Sequence, residues 1–418
     1  MKESKGFKET EIGLIPEDWE VVRLGEVFKI TQKPKNLKLE NYNLIPFIPM
    51  ENIGFGTFNP KYVMKNPKDI SSGTYFEKGD LLLAKITPSF ENGKQSIVND
   101  IPIEFGIATT EVIPLKQTEK SLISYLFYYL MKPEFRKYLA LKMEGSTGRK
   151  RLSKEVLFNS LIPLPPLEEQ KAVANILSTV QNAIEKTEKV INATKQLKKS
   201  MMKHLFTYGA VAVDEIDKVK LKESEIGLIP ENWEVVKLGE VAEITMGQSP
   251  PGDTYNTYGK GIPFLQGKAE FGNISPKHIK YTTKPLKIAK KGSVLISVRA
   301  PVGDVNIADM DYCIGRGLAS LNLKNGINEY LFYSLSFFKH LIEKESYGSV
   351  FKAINKENLA KLKIPLPPLD EQQKIANILT TIDQKIQAEE KKKIALQNLF
   401  KTLLQQLMTG KIRIRYPS

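Results

Sequence analysis

"EIGLIPEDWEVVRLGEV" occupies Glu11–Val27, and "EIGLIPENWEVVKLGEV" occupies Glu225–Val241. Only two of these seventeen aligned positions differ, Asp18 against Asn232 and Arg23 against Lys237. A second pair follows: "IPLPPLEEQKAVANIL" at Ile162–Leu177 matches "IPLPPLDEQQKIANIL" at Ile364–Leu379 in twelve of sixteen positions. The offset is 214 residues for the first pair and 202 for the second. The stretches between them share only faint echoes: "KGDLLLAKITP" at Lys78–Pro88 with "KGSVLISVRAP" at Lys291–Pro301, and "SKE" at Ser153–Glu155 with "NKE" at Asn355–Glu357. The chain is two copies of one unit, alike in frame and different in filling. A period this long means duplicated domains and not a solenoid.

Each copy reads the same way. The opening segment predicts a turn and then a strand, with Pro16 and Trp19 fixing the turn. The fillings alternate short β-type runs (Leu81–Ile86, Ser293–Val298) with Gly, Pro and Asn turns. "SLISYLFYYLMKPEFRKYL" and "NEYLFYSLSFFKHLIEKE" predict one helix each, their aromatics at helical spacing for core packing. "PLPPLEEQ" and "PLPPLDEQ" then open a long helix, with prolines at its start and carboxylates where the helix dipole favours them. Apolar residues recur at three- and four-residue steps from Val173 through Leu197 to Leu205, and from Ile375 through Leu399 to Leu407. Gly209 and Gly410 stand at the C-cap positions. A seam of about 40 residues is about 60 Å long and calls for a partner. The economical partner is the other copy, packed antiparallel; the alternative is a lone charged helix in solvent.

The chain of 418 residues is long enough for two or three domains. The reading divides it into a first domain over 1–160, a helix segment over 161–210, a second domain over 211–363 with a linker at 211–224, and a second helix with its tail over 364–418. The formal charge of +14 is unevenly placed. Lys and Arg outnumber Asp and Glu by 20 to 13 over Phe28–Ser160 and by 17 to 10 over Ala242–Lys363, while the rest carries 24 of each sign. Two basic modules on a neutral frame fit a polyanion gripped at two places, nucleic acid first; a lysine-rich composition that aids solubility is the alternative. One cysteine, Cys313, leaves no internal disulfide and fits a reducing cytoplasm, with the residue read as a small core side chain. His204, His278 and His340 have no metal-ligand spacing. No apolar run approaches a membrane span, and "MKESKGFKET" has no secretory apolar core.

Catalytic equipment is not legible. The Gly-Lys pairs at Gly93, Gly259, Gly267 and Gly410 lack the phosphate-loop spacing and its Ser or Thr, and no G-x-G-x-x-G follows a strand. "NPKY" at Asn59–Tyr62 is similar to the N-P-P-[FY] loop of adenine methyltransferases. Lys61 replaces the second proline and no glycine-rich cofactor loop accompanies it, so it is read as a turn.

The two "GLIPExWEVVxLGEV" segments, the two "IPLPPLxEQ" helix openings and the unlike domains between them resemble a type I restriction-modification specificity subunit over nearly the whole chain. The resemblance implies two pseudo-symmetric α/β (α+β) target-recognition domains joined by two long helices in an antiparallel coiled coil. It implies that each domain reads one half of a split sequence in double-stranded DNA. Two methyltransferase (modification) subunits would dock on the repeated segments, and motor-nuclease (restriction) subunits would join that core. The chain would be non-catalytic and bind no cofactor, with S-adenosylmethionine, ATP and Mg on the partner subunits. The competing readings are a stand-alone DNA methyltransferase and a coiled-coil adaptor with no role on DNA.

Base discrimination needs paired donors and acceptors on exposed loops, and phosphate contact needs positive charge. Three kinds of loop qualify in each filling. The first follows the opening strand: Gln32, Lys33 and Lys35, then Gln248 and Ser249. The second lies beyond the central strand: Lys85, Ser89, Asn92 and Lys94, then Arg299. The third is the glycine loop after the aromatic helix: Ser146, Thr147, Arg149, Lys150 and Arg151, then Ser349 and Lys352. Gln266, Lys268 and Arg316 complete the set, with structural ion pairing the alternative for Arg299 and Arg316.

Overall fold

The computed structural model describes residues 6–146, 148–346 and 353–414. They fall into two units, one holding the chain up to Thr187 and from Lys392 onward, the other holding Glu188–Lys391.

In each copy the two matching segments are strand partners. Glu20–Arg23 pairs antiparallel with Leu161–Leu164, and Glu234–Lys237 with Lys363–Leu366. Both are two-stranded sheets, so Pro163 and Pro365 sit on an edge where a missing N–H costs no ladder bond. The repeated polar residues satisfy the same buried groups twice. Trp19 Nε1 donates to Glu169 Oε2 at 2.9 Å, and Trp233 Nε1 to Glu371 Oε2 at 3.0 Å. Gln170 accepts from the Leu122 N–H at 2.8 Å and donates to the Pro165 carbonyl; Gln372 accepts from the Ile327 N–H at 3.1 Å and donates to the Pro367 carbonyl. The Tyr125 and Tyr330 hydroxyls donate to the carbonyls of Pro163 and Pro365. A buried donor left unpaired costs about 1–3 kcal/mol, which accounts for the repetition of "W" and "EQ" together.

Each filling is built on two sheets; three of the four are mixed, and the first sheet of the second unit is wholly antiparallel. In the first unit Phe28–Ile30, Val112–Gln117, Leu81–Ala84, Gln95–Ile97 and Phe55–Phe58 lie in that order, with a second sheet of Val63–Lys65, Ile45–Ile48, Phe105–Ala108 and Thr74–Glu77. The second unit has Ala242–Met246, Leu318–Leu323, Val294–Ser297 and Val305–Ile307 in one sheet. Its other sheet orders Tyr255–Asn256, Lys280–Thr282, Ile262–Leu265, Tyr312–Ile314 and Ile288–Ala289. The central strands Leu81–Ala84 and Val294–Ser297 are buried throughout, as continuous apolar runs require.

The aromatic segments pack as expected, with Tyr125, Phe127 and Tyr128 in one core and Tyr330, Phe332 and Tyr333 in the other. Each is two helices where one was expected. The first breaks between Ile123–Tyr129 and Pro133–Leu141. Proline excludes the helical conformation at the preceding residue, and Lys132 is extended at φ −62°, ψ 123°. The second breaks at Phe338, between Asn328–Phe337 and Lys339–Ser346.

The long helices run over Leu167–Tyr208 (42 residues) and Leu369–Leu407 (39 residues). Gly209 and Gly410 follow them at φ +82° and +67°. A Cβ on Gly209 would strike Glu371, and one on Gly410 would strike Pro16, so both backbone angle and space demand glycine. In the first unit Leu404, Leu407 and Met408 share a core with Val173, Ala174 and Leu177. In the second, Leu205 and Phe206 share one with Ile375, Ala376 and Leu379. Lys195 pairs with Glu390 and Lys198 with Asp383, each at 2.7 Å. Numbers rise on one helix as they fall on the other, so the pairing is antiparallel. Leu197 and Leu399, which the spacing assigned to the seam, are 51% and 46% exposed. A straight helix drifts about 20° per heptad against a 3.5-residue repeat, and the apolar steps leave the contact face.

Candidate nucleic-acid interface

Equivalent backbone bonds build the same rim in both units. Leu152 N donates to Lys85 O at 2.7 Å, and Ile354 N to Val298 O at 3.0 Å. Lys85 N donates to Glu111 O and Val298 N to Gly317 O. Ile86 bridges to Arg151 and Arg299 to Ala353. The segment that follows the aromatic helices is thereby laid beside the end of the central strand, and in the first unit the second and third candidate loops become neighbours.

In the first unit Thr87 N donates to Lys150 O at 3.0 Å, which ties "AKITPSFENGK" to "GSTGRKR". Arg149 and Lys150 are exposed, as are Gln32, Lys33 and Lys35. Gln32, Lys33 and Lys85 line one cleft of about 550 Å³, together with Tyr75 and Lys154. Burial lowers the Lys85 pKa; Glu111 opposes that, while Lys154 and Arg151 add to it. Like cations held this close favour an anionic ligand. Two candidates are otherwise engaged. Arg151 binds Glu111 at 2.6 Å, and Lys94 Nζ donates to the Met50 carbonyl at 2.8 Å with the Phe55 ring beneath it. Ser89 and Asn92 lie on a helical turn, where Phe90 N donates to Ile86 O and Asn92 N to Pro88 O. Arg136 pins that turn, donating to the carbonyls of Phe90 and Leu130 at 2.9 Å each and to Gln95. Burial lowers its pKa to about 10. Ser146 accepts from the Arg149 N–H through its carbonyl; Thr147 lies outside the described residues.

The second unit assembles different chemistry on the same rim. Arg316 N donates to Ser249 Oγ at 3.3 Å, Gln248 N to Ile314 O, and Gly317 N to Gln266 O. Gln248, Gln266, Arg316 and Arg299 are all exposed, so two amides and two guanidiniums share one edge. Among the described residues neither arginine forms an ion pair. Lys268 does: it meets Asp304 at 2.6 Å, and Lys339 reaches the same carboxylate at 2.8 Å. Burial pushes Asp304 up, but the two lysine hydrogen bonds outweigh it and hold the carboxyl below its ordinary range. Ser349 and Lys352 lie outside the described residues.

Lys154 and Lys356 were not among the expected residues. Each stands first in a short helix capped by Ser153 or Asn355, and each lines a cleft beside the opening strand, with Lys287 and Lys324 joining Lys356. The "SKE" and "NKE" echo was the signal. Asn59 of "NPKY" is a turn residue at φ +52°, its side chain accepting from Asn99 N and Asp100 N. Cys313 is buried, and burial pushes its thiol up. Among the described residues no cluster of His, Cys, Asp and Glu could hold a metal ion, and no helix is long and apolar enough to cross a membrane.

Known proteins share this arrangement. The family model for the type I restriction modification DNA specificity domain matches residues 16–196 and 230–398. A Methanocaldococcus jannaschii protein, provisionally named the type I restriction enzyme MjaX specificity subunit, is 40% identical over 98% of this chain and 97% of its own. The type I restriction enzyme MjaVIII specificity subunit of the same organism is 32% identical over the same shares. A chain from a structure on complex assembly and conformational transition of the type I R-M system is 29% identical over 95% of this chain and 99% of that one, with a TM-score of 0.52. The S subunit of a type I restriction-modification system from M. genitalium, 15% identical over 96% of this chain and 97% of its own, shares the fold at a TM-score of 0.63. Twice over, then, the chain carries the domain that defines the type I restriction-modification DNA specificity subunits, and it belongs to that family.

Proposed function

We propose that each of the two target-recognition domains reads one half of a bipartite sequence in double-stranded DNA, and that the long helices space the readers and dock two methyltransferase subunits. The observation that carries this reading is the rim itself. Equivalent backbone bonds hold it in both units, yet it presents Gln32, Lys33, Lys85, Arg149 and Lys150 in one and Gln248, Gln266, Arg299 and Arg316 in the other. One frame with two different donor and acceptor sets is what two unlike half-sites require. The matching cleft lysines Lys154 and Lys356 supply sequence-independent contacts to phosphate. Docking is supported by Val190 and Leu197, seven residues apart on one helix face and 41% and 51% exposed.

In this reading the chain is not itself a catalyst. Methyl transfer uses S-adenosylmethionine on the methyltransferase subunits, and ATP and Mg serve the motor-nuclease subunits that complete the complex. The cell compartment is the cytoplasm. The test is exchange of residues 28–160 for the equivalent domain of a relative, followed by methylome sequencing of cells that also carry the partner subunits. One half of the methylated motif changes and the other stays. A motif in which both halves change together would refute one domain per half-site.

A further inference from the structure

The two differences within the seventeen-residue repeat have unequal consequences. Arg23 and Lys237 are both exposed cations. Asp18 and Asn232 differ where another segment of chain arrives. Arg413 donates to the two oxygens of Asp18 at 2.9 and 2.6 Å, and to the two oxygens of Glu169 at 2.8 and 2.9 Å. The Glu169 side chain is 1% exposed and also accepts from Trp19. One guanidinium thus closes a buried carboxylate and an exposed one together. Its hydrogen bond holds the Asp18 carboxyl below its ordinary range.

The second unit meets its own incoming segment differently. Counted from the helix-ending glycines Gly410 and Gly209, the counterpart of Arg413 is Ala212. Glu371 takes Trp233 Nε1 as Glu169 takes Trp19, but its second partner is the backbone N–H of Ala210 at 3.1 Å. The position equivalent to Asp18 is the uncharged Asn232. Aspartate goes with arginine and asparagine with alanine, although Asp18 and Arg413 are 395 residues apart.

We infer that Asp18 and Arg413 form a charge-matched latch that makes docking of the chain's end selective. The segment after the second long helix is recognised by the first frame and rejected by the nearly identical second frame, whether of the same chain or of another copy. The frames offer the same Trp-bound Glu to an arriving helix end, so that pair alone cannot tell them apart. Against Asn232 the guanidinium loses a bidentate, charge-assisted partner. With an uncharged tail on the first frame, Asp18 faces Glu169 with no cation between them. Both mismatches disfavour exchange of helix ends between chains, the usual hazard when one chain carries interchangeable docking sites. This selectivity is independent of DNA reading.

The full-length chain tests it, by hydrogen exchange of residues 410–414 and by light scattering of the eluting species. Asp18→Asn gives the first frame the residue of the second, and the exposed, near-isosteric change leaves the fold intact. Asp18→Asn raises exchange at Ile412–Ile414 by about tenfold and Arg413→Ala by at least as much, because it also removes the bonds to Glu169. The double variant exchanges no faster than Arg413→Ala alone, because that change already removes the Asp18 pairing. Asp18→Asn combined with Asn232→Asp moves the carboxylate to the second frame and raises the dimer fraction above wild type at equal concentration. Unchanged exchange in Asp18→Asn, multiplying effects in the double variant, or an unaltered dimer fraction in the carboxylate swap would each overturn the latch.

Discussion

Arg151 meets Glu111 through two bonds, Nη2 to Oε1 at 2.6 Å and Nε to Oε2 at 3.3 Å. The last cation of "GSTGRKR" is therefore a brace between the glycine loop and the turn that leads into the strand Val112–Gln117, while Arg149 and Lys150 remain exposed. Arg149→Ala with Lys150→Ala weakens DNA binding by the assembled complex. It also flattens log K against log salt by about 0.9 per lost phosphate contact. Glu111→Gln removes the brace but no positive charge. Because the Arg151 side chain is 63% exposed, that change costs less than about 1 kcal/mol of stability and leaves the salt slope as it was. Anisotropy titrations at several salt concentrations separate the two. Equal slopes for wild type and the double alanine variant would remove this loop from the DNA.

Asp80 offers a test by pH. It is 2% exposed, accepts from the Glu77 N–H at 2.7 Å, and burial pushes its carboxyl up to about 6 from 3.8. The folded form then binds the extra proton between about pH 4 and 6. Stability from this group is greatest below that window and is lost as pH rises through it. The second copy has Ser293 at the aligned position and carries no such charge. Asp80→Asn keeps an acceptor for the Glu77 N–H and stabilises the protein at pH 7.5 by up to about 3 kcal/mol, with a smaller gain at pH 4.5. Urea unfolding at both pH values measures the difference, and an equal gain at both would mean that Asp80 is not charged at cost.

The frame was legible because it is written twice. Two Trp, two Glu-Gln pairs and two helix-ending glycines mark positions where local chemistry decides, whether a buried N–H to satisfy or a positive φ. The rim was legible only as a set of loops. Lys94 and Arg149 look alike in sequence, yet one donates to the Met50 carbonyl and the other stands in solvent. Lys268 and Arg316 are divided the same way by Asp304. Those outcomes rest on contacts between residues 36 to 44 positions apart, which no local pattern encodes. Lys154 sat unnoticed in an echo of three residues because its meaning came from the cleft beside it.

The helices support the most geometric prediction. Each begins in one unit and ends in the other, and the Lys195–Glu390 pair at 2.7 Å marks where they lie side by side. Four residues inserted after Thr194 lengthen the first helix by about 6 Å at 1.5 Å per residue. Four residues are close to one turn, so the apolar face continues within about 40° of its direction. A matching insertion after Glu390 keeps the antiparallel partners in step; a single insertion would offset them and destabilise the pair. If the helices set the spacing between the two readers, B-DNA at about 3.4 Å per base pair converts the added length into a gap longer by about one or two base pairs. Both half-sites stay as they were, because no rim residue has moved within its own unit. Methylome sequencing of cells carrying the double insertion and the partner subunits reads the gap directly. An active complex that methylates the original gap would show that something other than helix length holds the readers apart.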